Sequence, residues 1–143
     1  MSEVCLVDSD TLSELSRGHP RVTANARGYL EQQGQLTVSA ITVFERLRGY
    51  RAALAKGKPF EHQLEAFEAL AAACRVLPVD AEVADRAATY WASLGARARR
   101  ALGDIFIAAT ASVNGLCLVT RNRRDFEPIA KLDPALELRD WAR

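Results

Sequence analysis

Acidic side chains recur in this sequence where predicted strands end and where predicted helices begin. Asp8 and Asp10 follow the apolar run Val4–Val7, Glu45 lies in the first two turns of a predicted helix, and Asp104 begins an apolar helical segment. Carboxylates gathered within a few ångströms repel each other unless a divalent cation neutralises them. Mg²⁺ or Mn²⁺ suits such hard oxygen ligands and can activate water for phosphodiester cleavage. We therefore expect a metal site built from Asp8, Glu45 and Asp104.

A fourth corner of this site is predicted from the polar segment that follows a later strand. Asn122 and Asp125 both lie there, and we favour Asn122 as the neighbour of the site, with Asp125 as the alternative. Each acid also has a plainer interpretation: Asp8 as a turn former or helix cap, Asp104 as a carboxylate at a helix start, and Glu45 as part of a solvated face. A zinc site is disfavoured, because the two histidines have no nearby cysteine or histidine.

The elements that must position these acids alternate along the chain. Short strands are predicted at 4–7, 36–39, 75–79 and 116–120, with a closing strand near 136–138, and helical segments at 11–15, 22–32, 41–55, 60–74, 80–94 and 103–114. The segments at 95–100 and 121–126 are predicted as loops. Strands separated by helices indicate a three-layer α/β/α sandwich with a central parallel sheet of four to five strands. Sites in such sheets lie outside the carboxyl ends of the strands, where the acids fall.

Size and composition indicate one folded domain over residues 1–143. The 19 basic and 18 acidic residues leave a net charge of +1, which excludes a strong global attraction to nucleic acid. No apolar run approaches the length of a membrane helix and the first residues lack the positive charge of a signal peptide, so we expect a cytoplasmic protein without a membrane partner. Cys5, Cys74 and Cys117 are predicted to be buried, reduced thiols.

Two local clusters of arginine flank the predicted site. One precedes Asp104 and the other follows the fourth strand; their members are Arg97, Arg99, Arg100, Arg121, Arg123 and Arg124. Phosphate contacts supply affinity without reading base sequence, so these clusters are predicted to bind RNA. The alternative is a solvated, charge-balanced surface. The apolar stripe of the helix at 60–74 is predicted to be core, with a groove or a dimer surface as the alternative.

Four segments of the sequence together resemble the PIN domain. They read LVDSDTLSEL, VSAITVFERLRG, GDIFIAATA and LVTRNRRDF, and they begin at Leu6, Val38, Gly103 and Leu118. The likeness is greatest to the VapC toxins of bacterial toxin–antitoxin pairs, and it covers nearly the whole chain in the same order.

This resemblance implies a magnesium-dependent endoribonuclease that cuts structured RNA, often tRNA or rRNA. It also implies inhibition by a cognate VapB antitoxin, whose tail enters a groove near the acids, and a homodimer. Asp8, Glu45 and Asp104 match the first three acids of the family, and Asn122 matches the fourth position. Asp10 stands where the family usually has Asn. Because Asn122 is neutral, the number of metal ions, one or two, stays open.

Two other functions are compatible with parts of this pattern. A signalling receiver domain shares the α/β sandwich and its acidic edge, but it needs an acceptor Asp after the third strand and a Lys after the last, whereas 121–126 contains no Lys. A catalytically silent PIN module would only bind a partner. Retention of three mutually repelling acids favours an active site over that alternative.

Overall fold

The computed structural model describes residues 3–143 and contains five parallel strands in the order β3-β2-β1-β4-β5. This confirms the predicted α/β/α sandwich. The strands are β1 (Cys5–Val7), β2 (Thr37–Ser39), β3 (Arg75–Leu77), β4 (Cys117–Val119) and β5 (Leu138–Arg139). The helices are α1 (Ser9–Ser16), α2 (Pro20–Gln33), α3 (Ala40–Ala55), α4 (Glu61–Ala73), α5 (Ala81–Ser93), α6 (Ala96–Arg99), α7 (Leu102–Val113) and α8 (Arg123–Leu132). Within the described residues, no helix is long and apolar enough to cross a bilayer.

The sheet divides the core into two clusters because successive strand residues point to opposite faces. Leu6 packs with residues of α5, α7 and α8, whereas Cys5 and Val7 pack on the other face with residues of α1, α2 and α4. The strand residues of β1, β2 and β4 are all buried, as expected for a parallel sheet covered on both faces. Phe67 of α4 is buried in the second cluster, so the stripe of α4 is core at that position.

Helix boundaries follow recognisable end signals. Asp8, Ser39 and Asp80 cap α1, α3 and α5 through their side-chain oxygens, and Gly34 ends α2 with a φ of 81°. Such a positive φ is the conformation that glycine adopts at least cost.

Both predicted loops are wrong in part, because each contains helix. The segment predicted as a loop at 95–100 holds the short helix α6, and α8 begins inside the segment predicted as a loop at 121–126. The polar residues at the start of α8 hide its amphipathic pattern, in which Phe126 and Ile129 are spaced by three and are buried.

The prediction of reduced thiols is wrong for two of the three cysteines. Cys5 and Cys117 form a disulfide, while Cys74 is free. The two half-cystines are register partners on the adjacent strands β1 and β4, with their Cα atoms 4.6 Å apart. Because 112 residues separate them in the chain, only the strand order brings them together.

Candidate active site

Asp8 lies directly after β1, at the carboxyl edge of the sheet, and its side chain is buried. One carboxylate oxygen accepts a hydrogen bond of 2.7 Å from the Ser9 backbone N–H, and the other accepts one of 3.0 Å from the Thr120 hydroxyl. The backbone N–H of Asp8 donates to the Val119 carbonyl oxygen of β4. The plainer interpretation of Asp8 as a helix cap is therefore correct, and the same residue also faces the site.

The Glu45 side chain, on α3, lies against the first turn of α7, which also carries Asp104. A Cβ atom added to Gly103 would lie 2.6 Å from Oε2 of Glu45, so the Glu45 carboxylate occupies space that only glycine leaves free. Asp104 follows Gly103 in the first turn of α7. The close approach of α3 to α7 thus places two acids side by side.

One cavity of about 360 Å³ brings the three predicted acids together. We call it the acid cavity; it is lined by Asp8, Ser9, Asp10, Ser13, Glu45, Asp104 and Asn122. Three helices, α1, α3 and α7, and the segments that follow β1 and β4 contribute to it, as the edge of a parallel sheet allows. The predicted convergence of Asp8, Glu45 and Asp104 matches this geometry.

The electrostatics of the acid cavity disfavour ionised carboxyls. Burial, and then the charges of Asp10 and Asp104, raise the pKa of Asp8 to about 7. Burial, and then the charges of Asp125, Glu45 and Asp10, raise the pKa of Asp104 to about 6. Burial also raises the pKa of Glu45, against the opposing effect of the Arg48 cation. The cavity therefore concentrates negative charge that no protein cation neutralises fully.

Asn122 and Asp125, the two candidates for the fourth position of the site, line different depressions. Asn122 lines the acid cavity, and its backbone N–H donates to the Thr120 hydroxyl over 3.0 Å. Asp125 lines a neighbouring groove instead and acts on Asp104 through its charge. This placement supports Asn122 as the site neighbour.

Asp10 and Thr120 tie the two strand ends together. The Asp10 carboxylate accepts from the Arg121 backbone N–H over 3.2 Å and from the Thr120 hydroxyl over 3.4 Å. Sequence reasoning left Asp10 without a role and missed Thr120, Ser13 and Gly103. Two of these residues had a signal in the sequence. Thr120 is the polar residue that ends the apolar run before Arg121, and Gly103 directly precedes Asp104 at a helix start.

The six predicted RNA-binding arginines fall into two groups. Arg99 donates to the carbonyl oxygens of Trp91 and Ala92, Arg121 pairs with Glu14, and Arg123 donates to the Leu138 carbonyl oxygen; those arginines are engaged within the protein. The other three line one groove of about 740 Å³, which we call the arginine groove: Arg97, Arg100 and Arg124, with Asp125 and Pro128.

The residues present fit a divalent cation by their chemistry. The acid cavity offers carboxylate, amide and hydroxyl oxygens, and burial together with the neighbouring carboxylates raises the pKa values of Asp8 and Asp104. As the side chains stand, no three acidic, histidine or cysteine side chains among residues 3–143 are grouped closely enough to hold an ion. An ion held by three of these carboxylates would require them to lie closer together than they do here.

Replacement of Gly103 by alanine is expected to impair the site without unfolding the chain. The new Cβ would displace the Glu45 carboxylate, which is the end of a flexible side chain, so stability should change by no more than about 1 kcal/mol. RNA cleavage, the activity that the PIN-domain resemblance implies, is expected to fall at least about tenfold in Gly103→Ala, since a 1.4 kcal/mol loss of transition-state stabilisation suffices. Gly28→Ala is the matched control, because a Cβ there meets nothing within 4 Å. Equal cleavage rates for both variants would contradict the assigned role of Glu45.

Comparison with known proteins shows similarity over nearly the whole chain. The PIN domain family model matches residues 5–132. VapC ribonuclease Y4jK of Sinorhizobium fredii is 35% identical over 130 residues, which cover 85% of this chain and 89% of that protein. The tRNA(fMet)-specific endonuclease VapC of Shigella flexneri is 32% identical over 112 residues, covering 77% of this chain and 78% of that protein.

A solved structure supports the same likeness in three dimensions. The DNA-bound VapBC from Salmonella typhimurium matches with a TM-score of 0.74 and 25% identity, over 98% of this chain and 99% of that one.

Proposed function

Because the chain belongs to the PIN-domain family, and within it to the VapC proteins, we propose that it is the toxin of a toxin–antitoxin pair and acts as an endoribonuclease. The reaction is hydrolysis of an RNA phosphodiester bond with Mg²⁺ or Mn²⁺ as cofactor. A tRNA or an rRNA is the proposed substrate class. One relative bears the name of a tRNA-specific endonuclease, which favours the first of these.

The observation that carries this proposal is the acid cavity itself. Four carboxyls from three separate parts of the chain line one open cavity, and the pKa values of Asp8 and Asp104 are raised to about 7 and about 6. A purely structural role does not explain the cost of holding like charges together in a buried place. The receiver-domain alternative has no support in the family match. The silent PIN module remains the second candidate, although nothing in the site geometry favours it.

Asp8, Glu45 and Asp104 are the residues proposed to hold the metal, with Asn122 beside them. The ion supplies charge neutralisation and a lowered pKa for the attacking water. Asp8 is fixed for this role by its bonds to Ser9 and Thr120, and Glu45 by the gap at Gly103. Asn122 adds a neutral amide that can orient the water without adding charge.

The arginine groove is the proposed place for the RNA backbone. Among residues 3–143, the guanidinium groups of Arg97, Arg100 and Arg124 form no hydrogen bond or ion pair, so they are free to pair with phosphates. Arg99, Arg121 and Arg123 instead serve to fix the loops around the site. We therefore confine the RNA-contact proposal to the first three, with the other three as weaker candidates.

A VapB-type antitoxin is the proposed protein partner, since the solved relative from Salmonella typhimurium is a VapBC complex. A homodimer and a cytoplasmic location are likewise proposed on the family resemblance. The acid cavity and the arginine groove would give an antitoxin a negatively charged and a positively charged surface to contact.

Cleavage of RNA by the purified chain tests this function. We expect discrete new RNA ends with 5 mM or so of Mg²⁺, and none when EDTA removes the metal. Because an activated water attacks the phosphorus, the products should carry no 2′,3′-cyclic phosphate, which forms only when the ribose hydroxyl attacks. Sequencing of RNA ends after a short incubation measures both properties. Cleavage that persists in EDTA, or that leaves cyclic phosphates, would contradict the metal-dependent mechanism.

A further inference from the structure

We propose that Phe44 and Arg48 form a shelf that binds the nucleobase next to the cleaved phosphate. The inference rests on the proposed ribonuclease function and names a binding subsite for its substrate. It begins from an aromatic side chain that the fold does not bury. Phe44 is 57% exposed, whereas Phe67 and Phe126 are buried in the core.

The shelf lies immediately beside the acids. Phe44 precedes Glu45 on α3, and both line a cavity of about 480 Å³ together with Arg48, Arg100 and Asp104. Glu45 and Asp104 also line the acid cavity, and Arg100 also lines the arginine groove. The cavity of the shelf therefore adjoins both the acid cavity and the arginine groove, which is proposed to hold phosphates.

The chemistry of the shelf favours a base over an apolar segment of protein. The Arg48 guanidinium carbon lies 5.3 Å from the centre of the Phe44 ring, so it covers one side of the ring only. Aromatic rings beside cations are the surface on which unpaired bases stack, and the cations pair with the adjoining phosphates. A wholly apolar partner would remove water from the Arg48 and Arg100 guanidinium groups without offering them hydrogen-bond acceptors, which is costly. A nucleotide supplies a ring and an anion together.

Two oligomers that differ only in their bases test the shelf. One is a fluorescently labelled decamer of uridine, and the other is a decamer of abasic ribose with the same phosphates. Binding is followed by fluorescence anisotropy with Mg²⁺ in the Asp8→Asn background, so that the oligomers stay intact. We expect the uridine decamer to bind at least about fivefold more tightly than the abasic one. Phe44→Ala should abolish this preference and leave abasic binding unchanged, whereas Phe44→Trp should keep it.

Leu132→Ala is the matched control, because Leu132 is an exposed apolar residue at the far end of α8, and it should bind both decamers as the parent does. The shelf is overturned if Phe44→Ala keeps the preference for bases, or if it weakens both oligomers equally. It is also overturned if Phe44→Ala changes only the oligomeric state, measured by light scattering, since the face would then bind a second copy. Absence of binding to either decamer overturns it too, whereas the ribonuclease function depends separately on cleavage by the wild-type chain.

Discussion

Asp8→Asn and Asp104→Asn are each expected to lower the rate of RNA cleavage at least about 100-fold. Each change removes one ionisable carboxyl from the acid cavity and should thereby weaken binding of the proposed metal ion. A loss of about 3 kcal/mol of transition-state stabilisation corresponds to that factor, and several kcal/mol is a usual contribution of a catalytic metal.

The fold should survive the replacement of Asp8, although the residue is buried. Asparagine retains one carbonyl oxygen that can accept from the Ser9 N–H. Its amide N–H can donate to the Thr120 hydroxyl, which in the wild type is the donor to Asp8. Without metal, Asp8→Asn should be at least as stable as the wild type at pH 8, because a buried charge has been removed. Preserved stability separates loss of chemistry from loss of fold.

Cleavage of one labelled RNA by the purified variants, together with denaturant unfolding, measures both outcomes. Asp85→Asn provides the control, since Asp85 is exposed on α5 and absent from the acid cavity. Cleavage at the wild-type rate by Asp8→Asn would contradict the proposed mechanism. A wild-type chain and variants that are all inactive on RNA would instead support the silent binding module.

Most of the fold follows from the spacing of apolar runs and helix signals. The strands are short but well bounded, by helix caps that follow them and by the stop at Gly34 before β2, so their order along the chain was predictable. The helix α8 was not, because its first turn is polar and basic and only Phe126 and Ile129 face the core. The pairing of Cys5 with Cys117 depends on which strands are neighbours, and a sequence pattern does not determine strand order.

The acids of the site were predictable for a reason that does not extend to the arginines. A short carboxylate at a strand end has little freedom, so the position of its backbone largely fixes where its charge lies. A long arginine side chain reaches partners several ångströms away, as Arg99 does when it stacks on Trp91 and donates to the α5 carbonyls. Phe44 was predictable as a member of an apolar pattern, but its exposure depends on tertiary packing.

The metal-free protein is expected to lose stability as pH rises from 5 to 8. Asp8 and Asp104 have pKa values of about 7 and about 6 in the folded chain, above the ordinary value of 3.8. The folded state therefore binds more protons than the unfolded state between these limits. The stability that protonation gives is full below pH 3.8 and is lost as pH rises through the folded pKa values. We expect a loss on the order of 2 kcal/mol, or roughly 5–10 °C in melting temperature.

Mg²⁺ should reverse this trend, because it binds the deprotonated carboxylates and competes with protons for them. At a hundred times its dissociation constant the ion stabilises by about 2.7 kcal/mol, and the effect should be larger at pH 8 than at pH 5. Thermal unfolding at both pH values, in EDTA and in Mg²⁺, measures the four stabilities. Asp8→Asn should flatten the pH dependence in EDTA and reduce the Mg²⁺ effect. If Mg²⁺ raises the melting temperature equally in the wild type and in a variant without the Asp8, Glu45 and Asp104 carboxyls, the ion binds outside the acid cavity.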